Sequence, residues 1–210
     1  MADVNLILGK TNTVSASNYV APYVPTKALT GVKNVSSNRW LSYKTSGTAS
    51  WLMVDLQYPC VISRWATYFL PNASNSTTTW SSSLYGMKDY TLQTSMDSLN
   101  WRTADAVSGN TNSYTDRVLS ALSVGRFVRF VAVNGLTGNP TYEVSLLEFE
   151  VYGHYVSADL SSLVLSSGAL VPTFSSSTAV YSQQVSFDTT SITVTPTAAD
   201  STATIKVNNV

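Results

Sequence analysis

Apolar and polar positions alternate along this chain in short runs, and helical spacing of apolar residues is almost absent. The runs WLMVDL (51–56), VISRWATYFL (61–70), DYTLQTSM (89–96), GRFVRFVAVNG (125–135) and VSLLEFEVYG (144–153) are rich in β-branched and aromatic residues and read as strands. Turn signals such as Ser108-Gly109-Asn110 and Gly138-Asn139-Pro140 fall between them. Strands of this length and spacing predict an all-β sandwich or barrel. In the last run Leu147, Phe149 and Val151 face one way, and Glu148 and Glu150 the other. The two carboxylates would stand roughly 7 Å apart, close to the separation a glycosidase uses. Neighbours on one strand face, however, share one environment and leave no cleft between them, whereas an acid and its partner need separate strands and distinct pKa values. The expectation is one structural carboxylate, one facing solvent, and no catalysis.

The pattern changes after Gly153. All five tryptophans precede it, and from Ser157 onward Ser, Thr, Val and Ala dominate. LSSLVLSSG, VYSQQVSF, SITVTPTA and ATIKVNNV predict four further short strands. The economical division is a β domain over 1–153, a linker over 154–158 and a second β domain over 159–210. About 50 residues without tryptophan or disulfide sit at the edge of what folds alone. The final strand-like segment would also present an unpaired edge. The second domain is expected to be incomplete, or completed by another chain.

Composition narrows the functions. Charged residues make up 11% of the 210, under half the usual share, so solubility rests on hydroxyls and amides, as in many secreted and surface-displayed β proteins. Twelve basic residues balance twelve acidic ones without a Lys/Arg cluster, which argues against nucleic acid and against an anionic membrane surface. Cys60, the only cysteine, permits no internal disulfide and reads as a buried small hydrophobe. His154, the only histidine, falls at the linker with no nucleophile nearby, so neither a Ser-His-Asp site nor a zinc site is expected. No apolar stretch approaches the ~20 residues of a membrane span. The opening MADVNLILGK lacks a leader pattern, as expected if the leader was removed or if the protein is a virion component.

Six stretches taken in order, SNRWLSY, WLMVDL, ISRWATYFL, DYTLQTSMDSLNW, GRFVRFVAV and SLLEFEVYG, resemble a discoidin domain, also called a coagulation-factor type-C domain, the group that includes the family-32 carbohydrate-binding modules. The resemblance covers residues 1 to about 153 and implies a jelly-roll β-sandwich that binds ligands with loops at one end. The tail is similar to a bacterial cadherin-like β-sandwich repeat, a small immunoglobulin-like fold of which only the front portion is present. Such repeats serve as spacers and stalks in secreted or surface-attached bacterial proteins.

In the family, the first glutamate of the terminal strand closes a structural calcium site with an Ala-x-Asp-Gly loop and a Thr/Ser-Arg-Trp segment. The resemblance therefore implies a site at Glu148, Ala28, Thr30 and Asn34. Thr30 stands where the family has aspartate, and losing a carboxylate weakens a calcium site. Three readings stay open: retained calcium, a Lys33 ammonium beside Glu148 in place of the ion, or a plain hydrated loop. For ligand contact, aromatic faces suit the apolar C–H surface of a sugar, and amides, hydroxyls and cations suit its hydroxyls. The candidates are Trp80, Tyr85 and Asn72 in the long Ser/Thr-rich loop, with Tyr23, Tyr43, Lys44, Asn139 and Tyr142. Trp40, Trp51, Trp65 and Trp101 fall within or beside strands and are expected in or at the edge of the core. Galactose binders of the family carry a histidine just after the position of Trp40 and an arginine after that of Pro71. This chain has Leu41, Ser42 and Asn72 there. Glycosylation acceptor patterns at Asn34, Asn72 and Asn75 arise by chance in so Asn/Ser/Thr-rich a chain.

The expected function is non-catalytic glycan binding outside the cell or on its surface. The alternative is an adhesive or assembly module of a bacterial surface protein or phage particle, contacting protein or itself through the second domain.

Overall fold

The computed structural model describes residues 2–45, 48–70, 86–136, 141–200 and 203–208. Residues 1–155 and 156–210 form two compact units. The first holds β1 (Val4–Asn5), β2 (Val14–Ala16), a 3-10 turn (Pro25–Leu29), β3 (Trp40–Tyr43), β4 (Trp51–Phe69), β5 (Met87–Ser95), β6 (Arg102–Val107), β7 (Tyr114–Leu136) and β8 (Tyr142–Tyr155). All pairings are antiparallel, in the order β1-β8-β4-β7-β5-β6, with β2 added on β4 and β3 on β8.

Two runs expected as separate strands, 51–56 and 61–70, are one strand, and the strand expected over 125–135 begins earlier, at Tyr114. β4 and β7 stay paired with each other while passing from one layer of the sandwich to the other. Residues 51–55 of β4 lie between β2 and the second half of β7, and residues 60–69 lie between β8 and its first half. The corner is made at Asp55. The β4–β7 register shifts between Asp55 and Cys60, and Gln57 takes a positive φ of 74°. The Gln57 N–H donates to Asp55 Oδ1 at 2.7 Å, and Arg126 of β7 grips the same carboxylate with two bonds of 2.9 and 2.8 Å. Arg126 thereby holds the Asp55 carboxyl below its ordinary value.

Bending two paired strands around a corner encloses the core. Alternate residues Leu52, Val54 and Leu56 of β4, Tyr90 and Leu92 of β5, and Val128, Phe130 and Ala132 of β7 are fully buried against Leu146, Phe149 and Val151 of β8. Tyr90 is the hub, with ring centroids 5.8, 5.2 and 5.4 Å from those of Trp65, Phe69 and Phe130. Phe130 continues to Phe149 at 6.2 Å, joining the layers. Each such side chain contributes roughly 1.5–3 kcal/mol on burial, and each polar tip is satisfied. Tyr90 Oη pairs with Thr115 Oγ1 at 2.9 Å, Trp65 Nε1 donates to Asp105, and Trp40 Nε1 donates to the Asn18 carbonyl. Trp40 and Trp65 are core residues, whereas Trp51 and Trp101 are half-buried. Cys60 is fully buried, its Sγ 3.4 Å from the Tyr58 carbonyl, and burial pushes the thiol up to about 11. His154 is not in a linker, because β8 continues through it to Tyr155 and its Nδ1 lies 3.2 Å from Asp3 Oδ1.

In the second unit β9 (Leu160–Leu165) pairs with β10 (Val194–Ala198). Two of the four expected strands therefore form. Within 180–187 only Ser182 is bridged, to Val171, and 203–208 is irregular. With no opposing layer among the described residues of this unit, Val180 and Phe187 stand exposed.

Gly153 shows how closely β8 is held. It pairs with Val4 on one side and Ile62 on the other, and an added Cβ would come 1.9 Å from the Val61 carbonyl oxygen. Gly153→Ala is expected to cost about 3 kcal/mol, read as a lowered denaturant midpoint at unchanged slope. Gly109→Ala, in open space at φ +65°, should cost only about 1 kcal/mol.

Candidate functional site

Two of the expected aromatic contacts meet at one end of the sandwich. The β3–β8 register shifts between Ser42 and Tyr43, which brings Tyr43 opposite Tyr142 and leaves Glu143 out of the ladder. The Tyr43 and Tyr142 rings lie 5.9 Å apart at 36°, and Tyr43 is 44% exposed. Their backbone is fixed from two other segments, at Asn18 and Ser50, and by a bond between their own strands. The Tyr43 N–H donates to Asn18 Oδ1 at 2.8 Å, and Asn18 Nδ2 donates back to the Tyr43 carbonyl and to Thr45 Oγ1. The Ser50 N–H donates to Glu143 Oε2 at 3.0 Å, and the Lys44 N–H donates to the Thr141 carbonyl at 2.9 Å. The result is a shallow pair of rings on rigid strand ends, flanked by the exposed Lys44, the Asn18 amide and the Thr45 hydroxyl. Tyr23 instead gives its ring to Arg39, whose guanidinium lies 3.8 Å from the centroid, with Lys27 at 5.8 Å. Trp80, Tyr85, Asn72 and Asn139 lie outside the described residues.

A second cluster gathers the residues of the implied calcium site. Gly31, at φ 81°, turns the loop so that the N–H groups of Thr30 and Gly31 both donate to Glu148, at 3.1 and 2.9 Å. Glu148 is fully buried, and that burial pushes its carboxyl up to about 8 against the pull of the two N–H bonds. Lys33 pairs with Glu150 at 2.8 Å and not with Glu148. Its ammonium also reaches Tyr68 Oη at 3.3 Å and lies 4.6 Å from that ring, which stacks on Tyr114 at 4.8 Å. Against the cost of burial, Glu150 and Tyr68 hold the ammonium above its ordinary value. Glu150 is only 4% exposed, so the expectation that it faces solvent is corrected: the loop carrying Lys33 folds over that face of β8.

Asn38 sits at the middle of this loop. Its Nδ2 donates to the Lys27 carbonyl at 2.9 Å, to Thr30 Oγ1 at 2.8 Å and to the Val32 carbonyl at 3.3 Å. Calcium takes six to eight oxygens, carboxylates prominent among them. Here the three converging oxygens are neutral and an NH₂ group occupies their centre. Asn34 is exposed, Ala28 is buried, and both Glu148 oxygens accept backbone N–H bonds. The residues present do not fit the ion; a hydrogen-bond donor does the bracing.

Sequence reading passed over Asn18, Ser50 and Glu143, which come from separate segments and meet only through strand pairing. Asn38 carried a signal, since it directly precedes Arg39-Trp40, where the family pattern has Thr or Ser.

Chelation with EDTA is expected to leave the melting temperature unchanged. Asn38→Ala, which strips three oxygens of their shared donor, should lower stability by about 1–3 kcal/mol in denaturant titration. A melting temperature that falls on chelation and recovers with calcium would reverse this assignment.

With this geometry in hand, comparison with known proteins places the chain. The F5/8 type C domain model matches residues 11–148, and the cadherin-like beta sandwich domain model matches 160–210. No curated protein matches the chain. Among solved structures, the family 32 carbohydrate-binding module of Streptococcus pneumoniae EndoD is 18% identical with a TM-score of 0.53, covering 70% of this chain and 98% of that one. Chitosan-binding module 2 of a Paenibacillus sp. IK-5 chitosanase/glucanase, solved with chitotriose, is 27% identical with a TM-score of 0.52, covering 71% of this chain and 100% of that one. Module 1 of the same enzyme is 26% identical with a TM-score of 0.52, covering 71% and 99%. Because the F5/8 type C match spans well over half of the residues, the chain belongs to the F5/8 type C domain family.

Proposed function

We propose that this chain is a non-catalytic carbohydrate-binding module whose site is the Tyr43–Tyr142 end of the sandwich. The observation that carries the reading is the ring pair, Tyr43 exposed and Tyr142 half-buried, fixed on strand ends and bordered by an amide, a hydroxyl and an ammonium. Rings cover the C–H faces of a sugar, and the polar border satisfies its hydroxyls. Similarity to two chitosan-binding modules, at 26% and 27% identity, supports a glycan as ligand. Trp80, Tyr85, Asn72 and Asn139 would add contacts from neighbouring loops. One shallow site gives millimolar to micromolar affinity, so repetition along a larger assembly would supply avidity. The location that suits this role is the cell exterior, a bacterial surface or a phage particle. Among the described residues, no helix is long and apolar enough to cross a membrane.

A second reading, assembly with another protein through residues 156–210, is favoured by the exposed Val180 and Phe187 beside a two-stranded sheet. It predicts concentration-dependent association in sedimentation that deletion of 156–210 removes.

A glycan array should show selective binding by the intact chain, weakened about tenfold or more by Tyr142→Ala and again by Trp80→Ala. A blank array from well-folded protein rejects the glycan reading.

A further inference from the structure

The arginines of the first unit are not all treated alike. Arg117 grips Asp105 with two bonds of 2.6 and 3.0 Å, Arg126 grips Asp55 at 2.9 and 2.8 Å, and Arg64 grips Asp116. Arg129 differs. It is half-buried at the centre of the β2-β4-β7-β5-β6 layer, its guanidinium 3.9 Å from the Trp101 ring centroid and its Nε donating to Gln93 Oε1 at 2.7 Å. No carboxylate pairs with it among the described residues. Burial without an anion lowers the pKa of its guanidinium from the ordinary value. The stack and the Gln93 bond set the plane of the fork, while its two terminal nitrogens have no protein acceptor among the described residues.

The surroundings limit what would pair with this guanidinium. Register puts Met53 and Gln93 on either side of Arg129, with Thr103 beyond Gln93. Trp51 and Val131 form the adjoining row, with Phe127 in the row on the other side, and all are half-buried on the outward face. A planar guanidinium with two donors matches a carboxylate. The flat apolar flanks match a ring, and the Gln93 amide and Thr103 hydroxyl match sugar hydroxyls. An acidic peptide fits less well, because extended peptides are captured along open strand edges and β7 is paired on both sides here.

We infer that the outer face of this layer is a second binding site, centred on Arg129, for a sugar that carries a carboxylate. The site is separate from the Tyr43–Tyr142 end: Met53, opposite Arg129, lies three residues along the chain from Ser50, about 10 Å in a strand. It stands whether or not that end binds glycan.

The probe is tetragalacturonate, titrated calorimetrically beside its methyl-esterified form, which keeps the sugar and removes the charge. The acid should bind at least about tenfold more tightly than the ester, and weaken as salt rises. Arg129→Gln should lower binding of the acid about tenfold or more while its melting curve shows a folded protein, and Arg129→Lys should give an intermediate loss. Tyr142→Ala and Lys88→Gln, which changes an exposed cation outside this lining, should leave binding of the acid intact. Equal affinity for acid and ester, binding that survives Arg129→Gln, or no binding of the acid at millimolar concentration would each overturn the site. Loss in Tyr142→Ala alone would move acid binding to the loop end and also overturn it.

Discussion

The corner at Asp55 is the constraint from which the rest follows. Two strands that remain paired along their length can enclose a core only by bending together, and bending strains the backbone where the inner strand must shorten its path. Asp55 meets both requirements at once. It accepts the Gln57 N–H, steadying the positive φ, and it ties that bend to β7 through Arg126. Once β4 and β7 have turned, the two halves of each face one another, and Tyr90, Phe130 and Phe149 fall into contact across the gap. The Tyr43–Tyr142 rim is carried by β3 and β8, and Ser50 at the start of β4 ties to it through Glu143.

A chain with so few charges uses them sparingly and lets neutral donors do work that ions do elsewhere. Glu148 is answered by two backbone N–H groups, and three loop oxygens are gathered by one amide. Among the described residues, four cations grip a carboxylate one to one, in Lys33–Glu150, Arg64–Asp116, Arg117–Asp105 and Arg126–Asp55. Arg129 meets, among the described residues, an amide and a ring in place of a carboxylate.

The all-β class and the strands of the first unit were legible in the sequence because alternation and burial coincide there: Leu52, Val54 and Leu56 alternate in letters and in space. What alternation could not express was continuity. The Gln57-Tyr58-Pro59 stretch reads as a break, yet the Gln57 N–H bond to Asp55 and the grip of Arg126 from β7 carry β4 through it. Parity misled at Glu150 for a related reason, since a loop distant in sequence covers the face that alternation assigns to water. In the second unit, period-two runs at 180–187 and 203–208 lack a partner layer among the described residues, so pattern alone does not make them strands. Of the candidate site, the tyrosines were visible as residue types. Their clamps at Asn18, Ser50 and Glu143 depend on register, which single-sequence pattern does not encode.

Cys60 carries a last implication. It is the sole thiol, sealed beneath the corner and far from ionising at neutral pH. No disulfide is present to be reduced, and no thiolate is on offer to oxidants. The first unit is therefore indifferent to redox potential: it can complete its fold in a reducing compartment and pass into an oxidising one without any covalent bond in its core being made or broken.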